Sequence, residues 1–164
     1  MIWKRIVFFF VLIIFTARLQ AVNSNIQYKH GIGVAAGFVT GYGLSYRFLN
    51  NKTAYQITFA PYVSAQFSLI SLGVARIHTI YEAADFADLL YYIGVQEHYD
   101  SSCHDETGRM VEKYRINLGA GPGIRFKISN HVRFDIMFGY AIYNTIGQPS
   151  SVNFTGETAL FYYF

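Results

Sequence analysis

Apolar and polar side chains alternate along most of the chain. The pattern is clearest over residues 132–143, where Val, Phe, Ile, Phe, Tyr and Ile alternate with Arg, Asp, Met, Gly, Ala and Tyr. Residues 113–128 and 152–164 alternate in the same way. Successive side chains of a strand point to opposite faces, so this period of two predicts strands that have one apolar face.

Eight such segments are predicted in total. The other five cover residues 32–38, 42–48, 55–60, 67–80 and 88–99. The last two are less regular, and a bulge is expected at residues 71–73. Eight strands of about ten residues, joined by seven connections, account for residues 22–164. The predicted fold class is therefore all-β, an eight-stranded antiparallel up-and-down barrel.

The face opposite the apolar one is rich in small residues. Positions 119, 121 and 123 are all glycine, whereas Lys, Glu and Thr suit a water-facing exterior better. Small side chains suit the narrow interior of an eight-stranded barrel. We therefore predict a transmembrane barrel with its apolar face towards lipid and its glycines and charges inside. A soluble, exported, lipocalin-like barrel that binds an apolar ligand, with the faces reversed, is the alternative.

The amino terminus has the layout of a secretory signal peptide. A basic pair precedes an apolar run over residues 6–15, and small residues follow, the last of them Ala21. A run of ten apolar residues is short for a membrane-spanning helix. We predict cleavage after Ala21, so that residues 1–21 are the signal peptide and residues 22–164 the barrel domain.

Composition narrows the range of partners. Hydrophobic residues make up 52% of the chain and charged residues only 14%. The chain has 13 basic and 10 acidic residues, a net charge of +3, and no basic block, so nucleic acid is not an expected partner. The one cysteine, Cys103, excludes an internal disulfide and any zinc site with two thiolates. No cofactor is expected.

Most charged side chains of the strands share the face that is predicted to line the lumen. Charge inside a low-dielectric wall must be paired or hydrated, so we predict an ion-paired network that fills the lumen. Its members are Arg47, Arg115, Arg125, Arg133, Asp135 and Glu157. Arg125 and Arg133 are expected to hold the two acids. Arg76, Lys113 and Lys127 are also placed inside, and an anion-binding lumen is the alternative because bases outnumber acids.

An even number of strands places both chain ends on one side of a membrane, and short turns are typical of the periplasmic side. The predicted periplasmic turns are residues 50–53 and 129–130, and the predicted extracellular loops are residues 100–110 and 144–151. Two connections fit this scheme less well. Residues 39–41 form a very short outer loop, and residues 81–87 form a long inner connection.

The last eight residues, ETALFYYF, end on an aromatic side chain and have apolar or aromatic residues at alternate positions. This ending resembles the carboxyl-terminal assembly signal of Gram-negative outer-membrane barrels, and the side chains that carry the resemblance are Phe154, Leu160, Tyr162 and Phe164. The opening hairpin HGIGVAAGFVTGYGLSYRF and the late strand GAGPGIRF extend it over the barrel domain. The chain is similar to small OmpA- or OmpX-like outer-membrane proteins.

The resemblance implies an integral protein of a Gram-negative outer membrane, exported by its signal peptide, with a structural or adhesin-like role at the cell surface. The partners it implies are outer-membrane lipid and lipopolysaccharide, the barrel-assembly machinery, and an extracellular ligand bound through the loops.

One polar cluster offers candidate chemistry at the start of a predicted outer loop. Its members are His98, Asp100, Ser101, Ser102, His104 and Asp105. A histidine held by a carboxylate can activate a hydroxyl, and imidazole with carboxylates can bind zinc or copper. Neighbouring residues of a flexible loop do not fix such geometry, so the sequence favours a protein that is not an enzyme. A lipid A-modifying acyl hydrolase or acyltransferase is the alternative, although the deacylase pattern of a His two residues before a Ser is absent.

Overall fold

The structure is a computed structural model and describes residues 28–63, 67–103, 110–145 and 149–164. Eight strands follow one another along the chain: β1 (His30–Gly37), β2 (Gly43–Asn50), β3 (Thr53–Val63), β4 (Phe67–Ala84), β5 (Ala87–Cys103), β6 (Met110–Lys127), β7 (Val132–Tyr143) and β8 (Ser151–Tyr163). Each strand pairs antiparallel with the next, and β8 pairs with β1 to close the ring. The predicted eight-stranded barrel is confirmed. No helix among these residues is long and apolar enough to cross a membrane.

The two faces of the sheet have opposite chemistry. Large apolar side chains are exposed on the outside of all eight strands, from Leu44 at 75% to Val95 at 37%. On the inside, the side chains of Arg47, Asp135 and Glu157 are at most 1% exposed. The predicted orientation is confirmed, and the reversed faces of a lipocalin-like barrel are wrong for this chain.

The part of hairpin β4–β5 next to its turn differs from the prediction. The register runs unbroken through residues 71–73, so the bulge expected there is absent. Register shifts occur instead between Thr79 and Ala84, next to a tight turn at residues 85–86. The long inner connection predicted for residues 81–87 is therefore mostly strand.

The two strands of hairpin β5–β6 also extend further towards their connecting residues than predicted. β5 continues to Cys103 and β6 begins at Met110, whereas residues 100–110 are predicted as a loop. The intervening residues 104–109 lie outside the described residues. The first part of the polar cluster is thus held on a strand and not on a flexible loop.

The connection between β1 and β2 folds into the barrel. Residues 39–41, predicted as a short outer loop, are buried, and Val39 and Thr40 are 0% exposed. The Glu157 carboxylate accepts hydrogen bonds from the backbone N–H groups of Val39 and Thr40, at 3.1 and 2.9 Å, and from the Thr40 hydroxyl at 2.7 Å. Gly73 provides space, because a Cβ there would lie 2.2 Å from the Thr40 carbonyl oxygen. We name residues 38–42 the inserted segment.

The substitution Gly73→Ala should destabilise the barrel by about 1–3 kcal/mol, because the added methyl group would clash with the backbone of the inserted segment. Gly156→Ala is the matched control, since a Cβ at Gly156 would meet nothing within 4 Å. Urea titration of the refolded protein in detergent, measured by the fraction that migrates as the folded form on gels, compares the two. Equal unfolding midpoints would contradict the close packing.

Candidate functional site

Three members of the predicted lumen network meet around one carboxylate. Asp135 on β7 lies between two arginines. Arg47 donates from Nη1 to Oδ2 at 2.6 Å, and Arg125 donates from Nε and Nη2 to the two carboxylate oxygens at 2.9 and 3.1 Å. All three side chains are buried. Asp135 therefore supplies the negative charge that allows two guanidinium groups to be buried inside the barrel.

Amide and aromatic side chains complete the surroundings of Arg47. Its guanidinium also donates to the Tyr163 hydroxyl at 2.9 Å and to Gln56 Oε1 at 2.5 Å. The guanidinium carbon lies 3.9 Å from the centre of the Phe161 ring, which is a cation–π contact. These contacts offset the excess of one positive charge that two arginines and one carboxylate leave.

Glu157 and Arg133 do not form the ion pairs predicted for them. Among the described residues, the Glu157 carboxylate accepts hydrogen bonds only from the inserted segment and from the Thr155 hydroxyl, at 2.7 Å. The Arg133 guanidinium lies over the Tyr163 ring, 4.9 Å from its centre. The prediction that Arg125 and Arg133 hold both acids is wrong except for Arg125 with Asp135. The reason is that the buried backbone N–H groups of the inserted segment require an acceptor, which Glu157 supplies.

Two further charged residues are placed differently from the prediction. Arg76 is exposed on the outer face, in register with Tyr55 and Ile93 of the neighbouring strands, because β4 turns its odd-numbered residues inward. The prediction that Arg76 lines the lumen is therefore wrong. Asp88, which is not in the predicted network, lies inside and pairs with Lys127 at 2.7 Å.

An apolar layer lies in the lumen together with these charges. Its fully buried members include Val39, Ile77, Leu90, Tyr92 and Met137. The predicted network contains no such layer. The difference arises because β5 carries large apolar side chains on its inner as well as its outer face, and the interior of an eight-stranded barrel is just wide enough for side chains to fill it.

The outer part of the lumen is an open cavity of about 570 Å³. Its wall includes the amide side chains of Gln96, Asn117, Asn144 and Asn153 and the imidazole and guanidinium groups of His98 and Arg115. The aromatic rings of Phe38, Tyr42, Tyr143 and Phe154 also line it. The cavity thus combines hydrogen-bond donors and acceptors with flat apolar surfaces, which is typical of sites for small ligands.

Asn117 on β6 organises the floor of this cavity. Its amide nitrogen donates to the Phe38 carbonyl at 3.0 Å and to Gln96 Oε1 at 3.2 Å, and its Oδ1 accepts from the Asn144 backbone N–H at 3.3 Å. Gln96 donates in turn to the Ser71 hydroxyl at 2.9 Å. The floor therefore ties three strands to the inserted segment and to the β7–β8 connection.

A chain of hydrogen bonds runs along one wall of the cavity. The Tyr42 hydroxyl lies 2.5 Å from His98 Nδ1, His98 Nε2 lies 3.3 Å from Asp100 Oδ2, and Arg115 donates to the same oxygen at 2.5 Å. In this chain Nδ1 of His98 accepts from the Tyr42 hydroxyl and Nε2 donates to the Asp100 carboxylate.

The predicted polar cluster is only partly assembled. His98 and Asp100 join the hydrogen-bond chain, whereas the next residue, Ser101, is buried on the opposite face of β5. The remaining members lie outside the described residues: the side chain of Ser102, and His104 and Asp105. Among the residues that are described, His98 has a tyrosine and not a serine as its hydroxyl partner, and no group of three His, Cys, Asp or Glu could hold a metal.

Sequence reasoning missed much of the cavity. Gln96 and Asn117 are polar residues at inward positions of β5 and β6, so the alternation offered a signal for them. Tyr42 lies in a predicted strand, but β2 begins only at Gly43 and Tyr42 belongs to the inserted segment. No local pattern predicts that this segment folds inward, because its partner Glu157 is more than a hundred residues away in the chain.

The substitution Asp135→Asn should lower the free energy of unfolding by about 3–5 kcal/mol, because it leaves two buried guanidinium groups without an anion. Asp85→Asn, in the exposed β4–β5 turn, is the control and should change stability by less than about 0.5 kcal/mol. Chemical unfolding of the refolded protein in detergent measures both. If the Asp135→Asn barrel proved as stable as the control, the ion-paired arrangement would be contradicted.

No protein-family model and no curated protein sequence matches the chain. The similarities to known proteins are therefore structural. The N-terminal β-barrel domain of Pseudomonas aeruginosa OprF aligns over 84% of this chain and 98% of that domain, with 11% identity and a TM-score of 0.59. Neisserial surface protein A aligns over 81% of this chain and 92% of that one, with 15% identity and a TM-score of 0.50. Ail of Yersinia pestis, solved with the heparin analogue sucrose octasulfate, aligns over 83% and 97%, with 19% identity and a TM-score of 0.45.

The first two comparisons show a similarity in fold. The chain has the fold of the small eight-stranded outer-membrane β-barrels of the OmpA and OmpX type, as the sequence resemblance predicts.

Proposed function

We propose that this chain is an integral outer-membrane barrel with a surface-interaction role, and that its open cavity binds a ligand at the cell surface. The observation that carries the proposal is an apolar exterior around a lumen that is filled at one end and open at the other. A lumen filled by side chains and the inserted segment does not suit a general porin. An open cavity with many hydrogen-bonding groups suits binding.

The exterior supports a lipid environment. Large apolar side chains are exposed on all eight strands, and leaving such a surface in water costs about 25 cal/mol for each Å². The closed ladder leaves no strand edge unpaired, which a lipid environment requires. Exposed aromatic side chains such as Tyr162 and Tyr140 lie towards opposite ends of β8 and β7 and fit interfacial girdles.

Export and assembly complete this proposal. Residues 1–21, which lie outside the described residues, would act as the signal peptide and direct the chain across the inner membrane. On β8, the side chains that resemble an assembly signal all face outward: Phe154, Leu160, Tyr162 and Phe164. We propose that the barrel-assembly machinery recognises them, and that phospholipid and lipopolysaccharide then surround the barrel. With both chain ends in the periplasm, the cavity opens at the cell surface.

The lining of the cavity favours an acidic sugar as the ligand. Amide side chains such as Asn144 and Asn153 both donate and accept hydrogen bonds, as sugar hydroxyl groups require. The rings of Phe38 and Phe154 offer flat surfaces to the apolar side of a sugar ring. Arg115 is 40% exposed, so part of its guanidinium fork is available to a carboxylate or sulfate group.

Membrane fractionation tests the location. The protein should be recovered with the outer membrane, and it should migrate on gels differently before and after heating, because a closed barrel stays folded in detergent until heated. Recovery from the soluble periplasmic fraction would overturn the proposal.

Calorimetry on the refolded barrel tests the cavity. The substitution Arg115→Gln should weaken binding of a sulfated or carboxylated oligosaccharide by about tenfold, because a charge-assisted hydrogen bond is lost. Lys113→Gln is the matched control, since it removes the same charge from an exposed position two residues away on β6, outside the cavity lining. Equal losses in the two variants, or no binding by the wild type, would contradict the site.

A further inference from the structure

Among the described strand residues, the apolar outer face carries one Lys or Arg side chain, Arg76. The outward side chains along β4 are Ile70, Leu72, Val74, Arg76, His78 and Ile80. Two acidic side chains are also exposed on this face. Glu82 lies next to the β4–β5 turn, and Glu97 lies beside the cavity wall. Among the described side chains, no ion pair includes Arg76.

Polar side chains lie beside Arg76 on the side nearer the β2–β3 turn, whereas its partner on β5, Ile93, is apolar. In the sheet register Arg76 lies opposite Tyr55 of β3, and His78 lies between Thr53 of β3 and Tyr91 of β5. The Cβ atoms of directly opposed residues on one face are about 5 Å apart. Tyr55 and Tyr91 are 47% and 40% exposed. These side chains therefore form one accessible cluster across three neighbouring strands.

The cluster consists of hydrogen-bond donors. His78 Nδ1 lies 2.9 Å from the Thr53 hydroxyl, and its ring centre lies 5.4 Å from that of Tyr91. When Nδ1 accepts from this hydroxyl, Nε2 carries a proton and can donate it in a hydrogen bond to a ligand. The guanidinium of Arg76 and the hydroxyls of Tyr55 and Tyr91 are further donors. Such a set suits a phosphate group.

The cluster lies near the end of the barrel that holds both chain ends. Tyr55 comes two residues after Thr53, the first residue of β3, and the β2–β3 turn at residues 51–52 precedes it. Two strand residues span about 7 Å. At this depth an arginine side chain can extend to the lipid headgroups, whereas a guanidinium left in hydrocarbon is costly.

We propose that Arg76, with Tyr55, His78 and Tyr91, binds the phosphate of one phospholipid in the periplasmic leaflet. The acyl chains of this lipid would lie along the apolar side chains of β3 and β4 towards the membrane centre, beside Ile57 and Val74. The inference rests on the proposed placement in the outer membrane. It does not depend on the proposed sugar ligand, because the two sites are on opposite faces of the sheet.

Native mass spectrometry of the refolded barrel, released from detergent after addition of phosphatidylglycerol, tests this site. The wild type should retain one phosphatidylglycerol molecule, and Arg76→Gln should retain it about tenfold less, because the charge-assisted hydrogen bonds to phosphate are lost. Lys113→Gln removes a charge outside the cluster and should retain the lipid like the wild type. Diacylglycerol, which has the acyl chains but no phosphate, should not be retained.

The comparison uses only protein that migrates as the folded form before heating. Equal retention by the wild type and Arg76→Gln, or retention of diacylglycerol as strong as that of phosphatidylglycerol, would overturn the proposal. Preferential retention of lipid A would overturn the assignment to the periplasmic leaflet. Oligosaccharide binding by Arg76→Gln should equal that of the wild type, so failure of the lipid site is distinguishable from failure of the cavity site.

Discussion

Pairing between β1 and β8 closes the sheet into a barrel and constrains every other part of the fold. Gly31 to Gly37 pair in register with Tyr163 to Glu157, so the first and last strands leave no open edge. An open edge would expose unpaired backbone groups, which hydrocarbon does not tolerate. A closed ring also divides the side chains into two sets. The outer set can be large and apolar, while the inner set must fit a narrow lumen, which explains the many small residues there.

The two buried acids of the lumen are stabilised in different ways, and this difference shapes the interior. Asp135 is held by two guanidinium groups, so the side chains around it are charged. One of them, Arg47, also donates a hydrogen bond to Tyr163. Glu157 is held by backbone N–H and hydroxyl groups, so its surroundings are the inserted segment. Because the inserted segment fills the lumen at that level, polar side chains further out line an open cavity instead of a continuous channel. The binding role proposed above for one mouth of the barrel rests on this arrangement.

The strands that could be placed from the sequence are those in which only one face is apolar. β7 is the clearest case, because Arg133 and Asp135 alternate with large apolar residues and mark the inward face. In β5 the run LLYYI is apolar on both faces, so periodicity does not show which side chains face inward. The pattern therefore did not predict that Asp88, at the start of β5, is buried, or that Arg76 of the adjacent β4 faces outward. The resemblance of the carboxyl-terminal strand predicts the fold but does not identify the ligand, since it concerns the outer face of β8.

The number of strands, the apolar exterior and the inner or outer position of most side chains could be predicted from the amino-acid sequence, because a period of two is a local property of each strand. The pairing of the inner side chains could not be predicted in this way. Arg47 and Asp135 are 88 residues apart in the chain, and Thr40 and Glu157 are 117 apart. Such contacts depend on register around the closed ring and on the inward fold of residues 38–42. No short segment of the chain carries that information.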